Sequence, residues 1–165
     1  EASLKLNKER KEPVLFVVVC ARSTFTQRLE KLADEMGAAK YIKLLGFVPD
    51  YELGVLYRNS LGFLFPSLSE GFGLPGLEAI LAGTVTLASN IPVFKETYGD
   101  SVIYFDPLSS SSLKAAMNEV VLLTPEARTS LIKKAQKFAR RYSWDKMART
   151  TLKVYEASLS LRSGQ

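Results

Sequence analysis

The sequence predicts an α/β fold, a parallel sheet with helices on both faces. Three observations carry this. Short apolar runs bounded by Gly, Pro, Asn or Asp alternate along the whole chain with longer segments of helical periodicity. The strands are separated by helices rather than by hairpin turns, and strand–helix–strand units build parallel sheets whose C-terminal strand ends share one edge. The 165 residues suffice for one domain with a sizeable core, and no repeat or low-complexity linker divides them.

The elements follow in order. Residues 2–11 read as the end of a helix. PVLFVVVC, residues 13–20, is rich in β-branched residues and is expected to be a strand buried on both faces. STFTQRLEKLADEMG is a helix, with Thr24 and Gln27 placed for a capping box and Gly37 as its stop. YIKLLGF is a strand, and DYELGVLYRNS a short helix with Asp50 as N-cap. LGFLFP is a strand that ends at Pro66. GLEAILA is a helix closed by Gly83, and VTLAS the strand after it. IPVFKETYG is a turn and short helix with Pro92 at its first position. SVIYFDP is the last strand. Three helices finish the chain: SSSSLKAAMNEVVLL, begun by serines; TPEARTSLIKKAQKFARRY, with Thr124 as cap and Pro125 just inside; and residues 143–161, capped by Ser143.

Composition narrows the function classes. The longest apolar run, residues 14–21, is too short to span a bilayer, and the polar, charged start is not a signal peptide. That start also lacks an initiator Met, which suggests a piece of something longer. The single cysteine, Cys20, leaves no internal disulfide and fits a reducing compartment such as the cytoplasm. There is no histidine, so acid–base work falls to carboxylates or to another domain, and no metal site is expected. Net charge is +5, and much of the excess lies in Arg128, Lys133, Lys134, Lys137, Arg140, Arg141, Lys146, Arg149 and Lys153. Two readings fit: solvated faces of amphipathic helices, or a surface held peripherally against an anionic membrane leaflet. No basic motif interleaved with aromatics points to nucleic acid.

The chemistry concentrates in SEGFGLPGLEAILAG, residues 69–83. Gly71, Gly73 and Gly76 spell G-x-G-x-x-G, the dinucleotide fingerprint. It follows a strand and opens a helix, as it should. However, at least two strands precede it, where the fingerprint belongs to the first strand–helix unit. The next strand ends Ala88-Ser89-Asn90, without the acid that would hold a ribose, and Pro75 interrupts the turn. An NAD-binding domain is therefore a remote alternative. The same stretch carries Glu70 and Glu78 on either side of the glycines. Glycines let the backbone bend and approach a ligand closely, and the start of the following helix suits a phosphate or diphosphate. Glu78, one turn into the helix, is placed to accept bonds from ribose hydroxyls. Glu70, before the turn, is placed for a sugar on the far phosphate. On spacing alone, a solvated loop residue and a helix-dipole partner explain these two acids equally well.

FPSLSEGFGLPGLEAILAGTVTLASNIPVFKETYGDSVIYFDP, residues 65–107, resembles the GT4 family of retaining glycosyltransferases (glycosyl transferases group 1), which have the two-domain GT-B fold. The likeness runs upstream through LLGFVPDYELGVLYRNS and downstream to FARRYSWDKMA. It implies the Rossmann-like C-terminal, donor-binding domain of such an enzyme, transferring a hexose from a nucleoside diphosphate sugar to a sugar, lipid or protein acceptor. It implies that Glu70 faces the donor sugar, that Gly71, Phe72, Gly73 and Leu74 present backbone amides to sugar and diphosphate, and that Glu78 holds the ribose. Gly46, Phe47 and Val48 would border the base. In this family the leaving diphosphate is thought to assist the reaction, so neither cofactor nor metal is implied.

The sequence departs from the family pattern at its start. The first strand and the basic pair that grips the diphosphate have no counterpart, and strand 13–20 would be the second. An acceptor domain or partner subunit is expected elsewhere, and the isolated chain is expected to bind without transferring. A non-catalytic module that binds nucleotide sugar or docks on a partner is the alternative. Residues 143–161, which pack across the other domain in this fold, would expose Trp144, Met147 and Tyr155, or pair two copies of the chain.

Overall fold

A computed structural model describes residues 1–163, and side-chain environments up to residue 159. Helix α1 (Ala2–Lys8) leads into strand β1 (Phe16–Val19), helix α2 (Thr24–Glu35), a 3-10 turn at 39–41 and strand β2 (Ile42–Gly46). Helix α3 (Asp50–Asn59), strand β3 (Phe63–Phe65), helix α4 (Leu74–Ala82), strand β4 (Thr86–Ser89), helix α5 (Pro92–Tyr98) and strand β5 (Ile103–Phe105) follow. Helices α6 (Ser110–Val121), α7 (Pro125–Ala139) and α8 (Trp144–Ser163) complete the described chain.

Every strand pair is parallel, as the alternation requires. The strands form two sheets, β1–β2 and β3–β4–β5, where the sequence predicts one. The break falls between β1 and β3.

Strand β4 is central and buried throughout. Its residues alternate between two cores. Val85 and Leu87, with Phe105 of β5, meet Leu6 of α1 and Ala116, Met117 and Val120 of α6. Ala88 faces the other way, onto Leu77 and Ile80 of α4, Phe94 and Tyr98 of α5, and Ala135 and Ala139 of α7. The three-stranded sheet therefore carries helices on both faces. Val14 and Phe16, at and just before β1, pack against the first core together with Leu64 of β3, so the small sheet shares that core. Asn7 ties α1 to the start of β1, its amide donating to the Val14 carbonyl at 3.0 Å and its Oδ1 accepting from the Val14 amide at 2.6 Å.

The strand at 13–20 is not buried on both faces: Leu15 is 53% exposed and Val17 45%, in alternation with the covered Val14 and Phe16. Helix α2 leaves its own Phe25, Leu32 and Met36 exposed, so one face of the small sheet stays open.

Two caps also differ from expectation. The capping box of α2 pairs Ser23 with Thr26, because Ser23 is the last extended residue (φ −153°) and Thr24 is already helical. Helix α3 is preceded by extended Pro49, and Asp50 is its first residue, an acid in the first turn where the helix dipole favours it. Gly37 does stop α2: at φ 66° its amide reaches the Asp34 carbonyl at 2.9 Å and the Ala38 amide reaches Ala33 at 2.7 Å. Thr124 and Ser143 cap α7 and α8 as read, and Ser109, the first of the four serines, caps α6. Trp144, Met147 and Tyr155 of α8 are exposed.

Candidate functional site

The glycine turn hangs between the C-terminal end of β3 and the start of α4. Gly73 is the N-cap of α4 at φ 94°, a left-handed conformation that glycine adopts freely. Pro75 sits in the first turn, where it has no amide to lose. The Gly76 amide closes onto the Gly73 carbonyl at 3.1 Å. The amides of Gly71, Phe72, Gly73 and Leu74 have no partner among the described residues. They lie next to the positive end of the α4 dipole, an arrangement that attracts an anion.

The three glycines have different reasons to be glycine. A Cβ at Gly71 would meet nothing within 4 Å, so the open space there belongs to whatever approaches the turn. A Cβ at Gly73 would collide with the Tyr98 hydroxyl and stand 2.8 Å from Cε1 of Phe94. A Cβ at Gly76 would collide with the same hydroxyl and stand 2.6 Å from Cζ of Tyr98. Gly73 and Gly76 thus answer to the core behind them, a role distinct from the ligand approach expected of the glycines.

Glu70 is exposed before the turn, and its Oε1 accepts from the Ser67 hydroxyl at 2.8 Å. Glu78 is exposed on α4, with no ion pair among the described residues. Both acids act on buried phenols. Burial pushes Tyr57 of α3 up to about 12, with the Glu78 charge adding to the rise. Burial also raises Tyr98, and Glu70 is the next contributor. Phe72, in the turn, meets the ring of Tyr142 edge-on at 5.2 Å between centroids. Arg141 donates to Tyr142 Oη at 2.6 Å and to the Glu96 carbonyl at 2.7 Å, which links that corner to α5.

Glu70, Gly71, Phe72, Leu74 and Glu78 are exposed, and Gly73 is buried. Gly46, Phe47 and Val48 lie at the C-terminal end of β2, in the other sheet, with Phe47 fully presented to solvent at 77% exposure. No hydrogen bond joins them to the 67–78 segment among the described residues. Open clefts occur elsewhere: one of about 480 Å³ at the α7–α8 corner by Arg141 and Lys146, another of about 530 Å³ between α1 and α6. Neither cleft is lined by any residue of 67–78. Among the described residues no group of three or more His, Cys, Asp or Glu is placed to hold a metal. The glycine turn follows the third strand of the chain, and Ser89 ends β4 without an acid, both against the dinucleotide reading.

The sequence reading missed Tyr98, Tyr142 and Ser67. Ser67 is three residues before Glu70 and is visible as a local pair. Nothing in the sequence links Tyr98 or Tyr142 to a turn some 25 or 70 positions away.

Comparisons with known proteins bear on the family and the fold. The family described as glycosyl transferases group 1 matches residues 2–138. The O-antigen chain mannosyltransferase RfbU of Salmonella typhimurium is 29% identical over 131 residues, 79% of this chain and 36% of that protein. O-antigen chain mannosyltransferase B of Escherichia coli is 32% identical over 116 residues, 70% of this chain and 30% of that protein. The chain thus spans about a third of the length of these relatives. Among solved structures, sucrose-phosphate synthase from Thermosynechococcus elongatus superposes with a TM-score of 0.83 at 20% identity, over 97% of this chain and 42% of that one. The Anabaena protein HepE, solved in complex with UDP and glucose, gives 0.80 at 19% identity, over 94% and 44%. These neighbours have the GT-B fold.

Proposed function

This chain belongs to the glycosyl transferases group 1 family, and on that premise we propose that it is the donor-binding domain of a glycosyltransferase. It binds a nucleoside diphosphate sugar, and in the complete protein a hexose passes from it, with retention, to a sugar, lipid or protein acceptor held by another domain. The observation that supports this best is the row of unpartnered amides at 71–74, flanked by two exposed carboxylates. A diphosphate carries its charge to those amides and to the positive end of α4, where negative charge building on the leaving group is stabilised in place. Glu70, on one side, faces the sugar, where its carboxylate favours positive charge at the anomeric carbon. Glu78, on the other, accepts from the ribose hydroxyls. Gly46, Phe47 and Val48 border the base. The reading assigns no metal and no cofactor.

The mannosyltransferase relatives make mannose a candidate hexose, and the HepE complex makes UDP a candidate carrier. The chain alone binds donor without transferring it, since the acceptor site lies on the other domain.

Calorimetric titration with UDP, GDP, ADP and NADH tests the reading. Saturable binding of one nucleoside diphosphate is expected, weakened in Glu78→Ala by about 1–3 kcal/mol as charged hydrogen bonds are lost. In a complete protein, Glu70→Ala should abolish transfer. Absence of binding by all three diphosphates, or preference for NADH, overturns the assignment.

A further inference from the structure

The side chain directly beneath the glycine turn is Tyr98, on α5. It is fully buried and ends a row of rings, with Phe65 and Phe94 4.8 Å apart and Phe94 and Tyr98 5.2 Å apart between centroids. Its hydroxyl donates to the Gly73 carbonyl, which also accepts from the Gly76 amide. Both lone pairs of that oxygen are therefore in use. The ring fills the space that a side chain at Gly73 or Gly76 would need. The turn has little of its own to define its shape: none of its amides from 71 to 74 has a partner among the described residues, and a side chain at Gly71 would meet nothing within 4 Å. Helix α5, by contrast, is anchored. Tyr104 Oη lies 2.9 Å from the Phe94 carbonyl and 2.8 Å from that of Gly99, and Arg141 donates to the Glu96 carbonyl.

We propose that Tyr98 is a positioning residue for the donor site: its hydroxyl holds the Gly73 carbonyl and its ring supports Gly73 and Gly76, which aims the four open amides at the diphosphate. The mechanism needs the hydroxyl as well as the ring, because only the hydroxyl fixes the rotation of the peptide that starts α4. The proposal rests on the nucleotide-sugar reading above for its ligand, and on the geometry of α5 and the turn for its mechanism.

One variant of the chain tests it. Tyr98→Phe keeps the ring and removes the hydroxyl. Amide hydrogen exchange is measured by NMR, alongside affinity for whichever of UDP, GDP or ADP the wild type binds. In Tyr98→Phe, the Gly76 and Leu77 amides are expected to exchange roughly five- to tenfold faster, and diphosphate affinity to fall by a similar factor. The β4 amides stay unchanged. The proposal is overturned if Gly76 and Leu77 exchange is unaltered, or if β4 accelerates by the same factor, which is general loosening. Unchanged affinity despite faster exchange also overturns it. If the wild-type chain binds none of the three diphosphates, the nucleotide reading fails and takes the ligand half with it, while the exchange result still decides whether Tyr98 holds the turn.

Discussion

Single residues at the turn divide into those that serve the fold and those that face outward. Gly73 combines a left-handed backbone with a steric neighbour, so Gly73→Ala should lower stability by about 2–4 kcal/mol. Gly71 has ordinary backbone angles and open space, so Gly71→Ala should change stability by no more than about 0.5 kcal/mol. Urea denaturation of the two variants checks the contrast, and equal losses would show that the turn is packed on both sides. On the proposed donor-site reading the added methyl at Gly71 faces the ligand, and its cost should then appear in nucleotide affinity. This separation was not legible from Gly-x-Gly-x-x-Gly: the pattern names the three positions but not the tyrosine behind two of them. Glu70 and Glu78 were legible as a pair, because both lie within one short continuous segment.

At the scale of elements, strand β1 is the least supported part of the fold. It has β2 on one side and no ladder partner on the other among the described residues. In a parallel ladder, successive residues turn their backbone groups to opposite sides, so a strand with one partner leaves about half of its amides unbonded. The Cys20 amide bonds to the Gly46 carbonyl of β2 at 3.1 Å, and the register shifts between Val18 and Val19. Hydrogen exchange should therefore find both protected and fast amides within residues 17–19. Uniform protection across 17–19 would mean that the second edge is covered in solution. The β-branched run at 13–20 correctly announced a strand, yet it predicted burial that the element does not have. Burial depends on what packs against a strand, and β-propensity does not encode that. Caps were read at the right residue where a single Ser or Thr preceded the helix, as at Thr124 and Ser143, whereas the run of serines at 109–112 gave no single candidate and the structure selects Ser109. They shifted by one residue where two candidates stood side by side, as at Ser23 and Thr24.

For the molecule as a whole, three phenols set a limit on alkaline stability. Tyr57 and the half-buried Tyr104 are raised from 10.0 to about 12, and the fully buried Tyr98 is raised as well, each chiefly by loss of solvent. In the unfolded chain a tyrosine loses its proton near pH 10, and in the folded chain Tyr57 and Tyr104 keep theirs to about 12. Between those values the unfolded state binds fewer protons, so stability that is intact below pH 10 falls as pH rises towards 12. Tyr57 alone accounts for up to about 1.4 kcal/mol per pH unit across that window. Denaturation midpoints followed upward from pH 9 should show the decline, and Tyr57→Phe should make it shallower; an identical slope in the variant would remove Tyr57 from the account. The sequence by itself determined the alternation of strands and helices, their parallel order, the helix stops at Gly37 and Gly83, and the family to which the chain belongs. Each of these follows from local periodicity, backbone permissiveness or a contiguous motif. Only the tertiary structure decided that the sheet is divided between β1 and β3, that one face of the smaller sheet is open, and that a tyrosine on α5 stands under the glycine turn. Those outcomes depend on contacts between residues far apart in the chain, which no local pattern records.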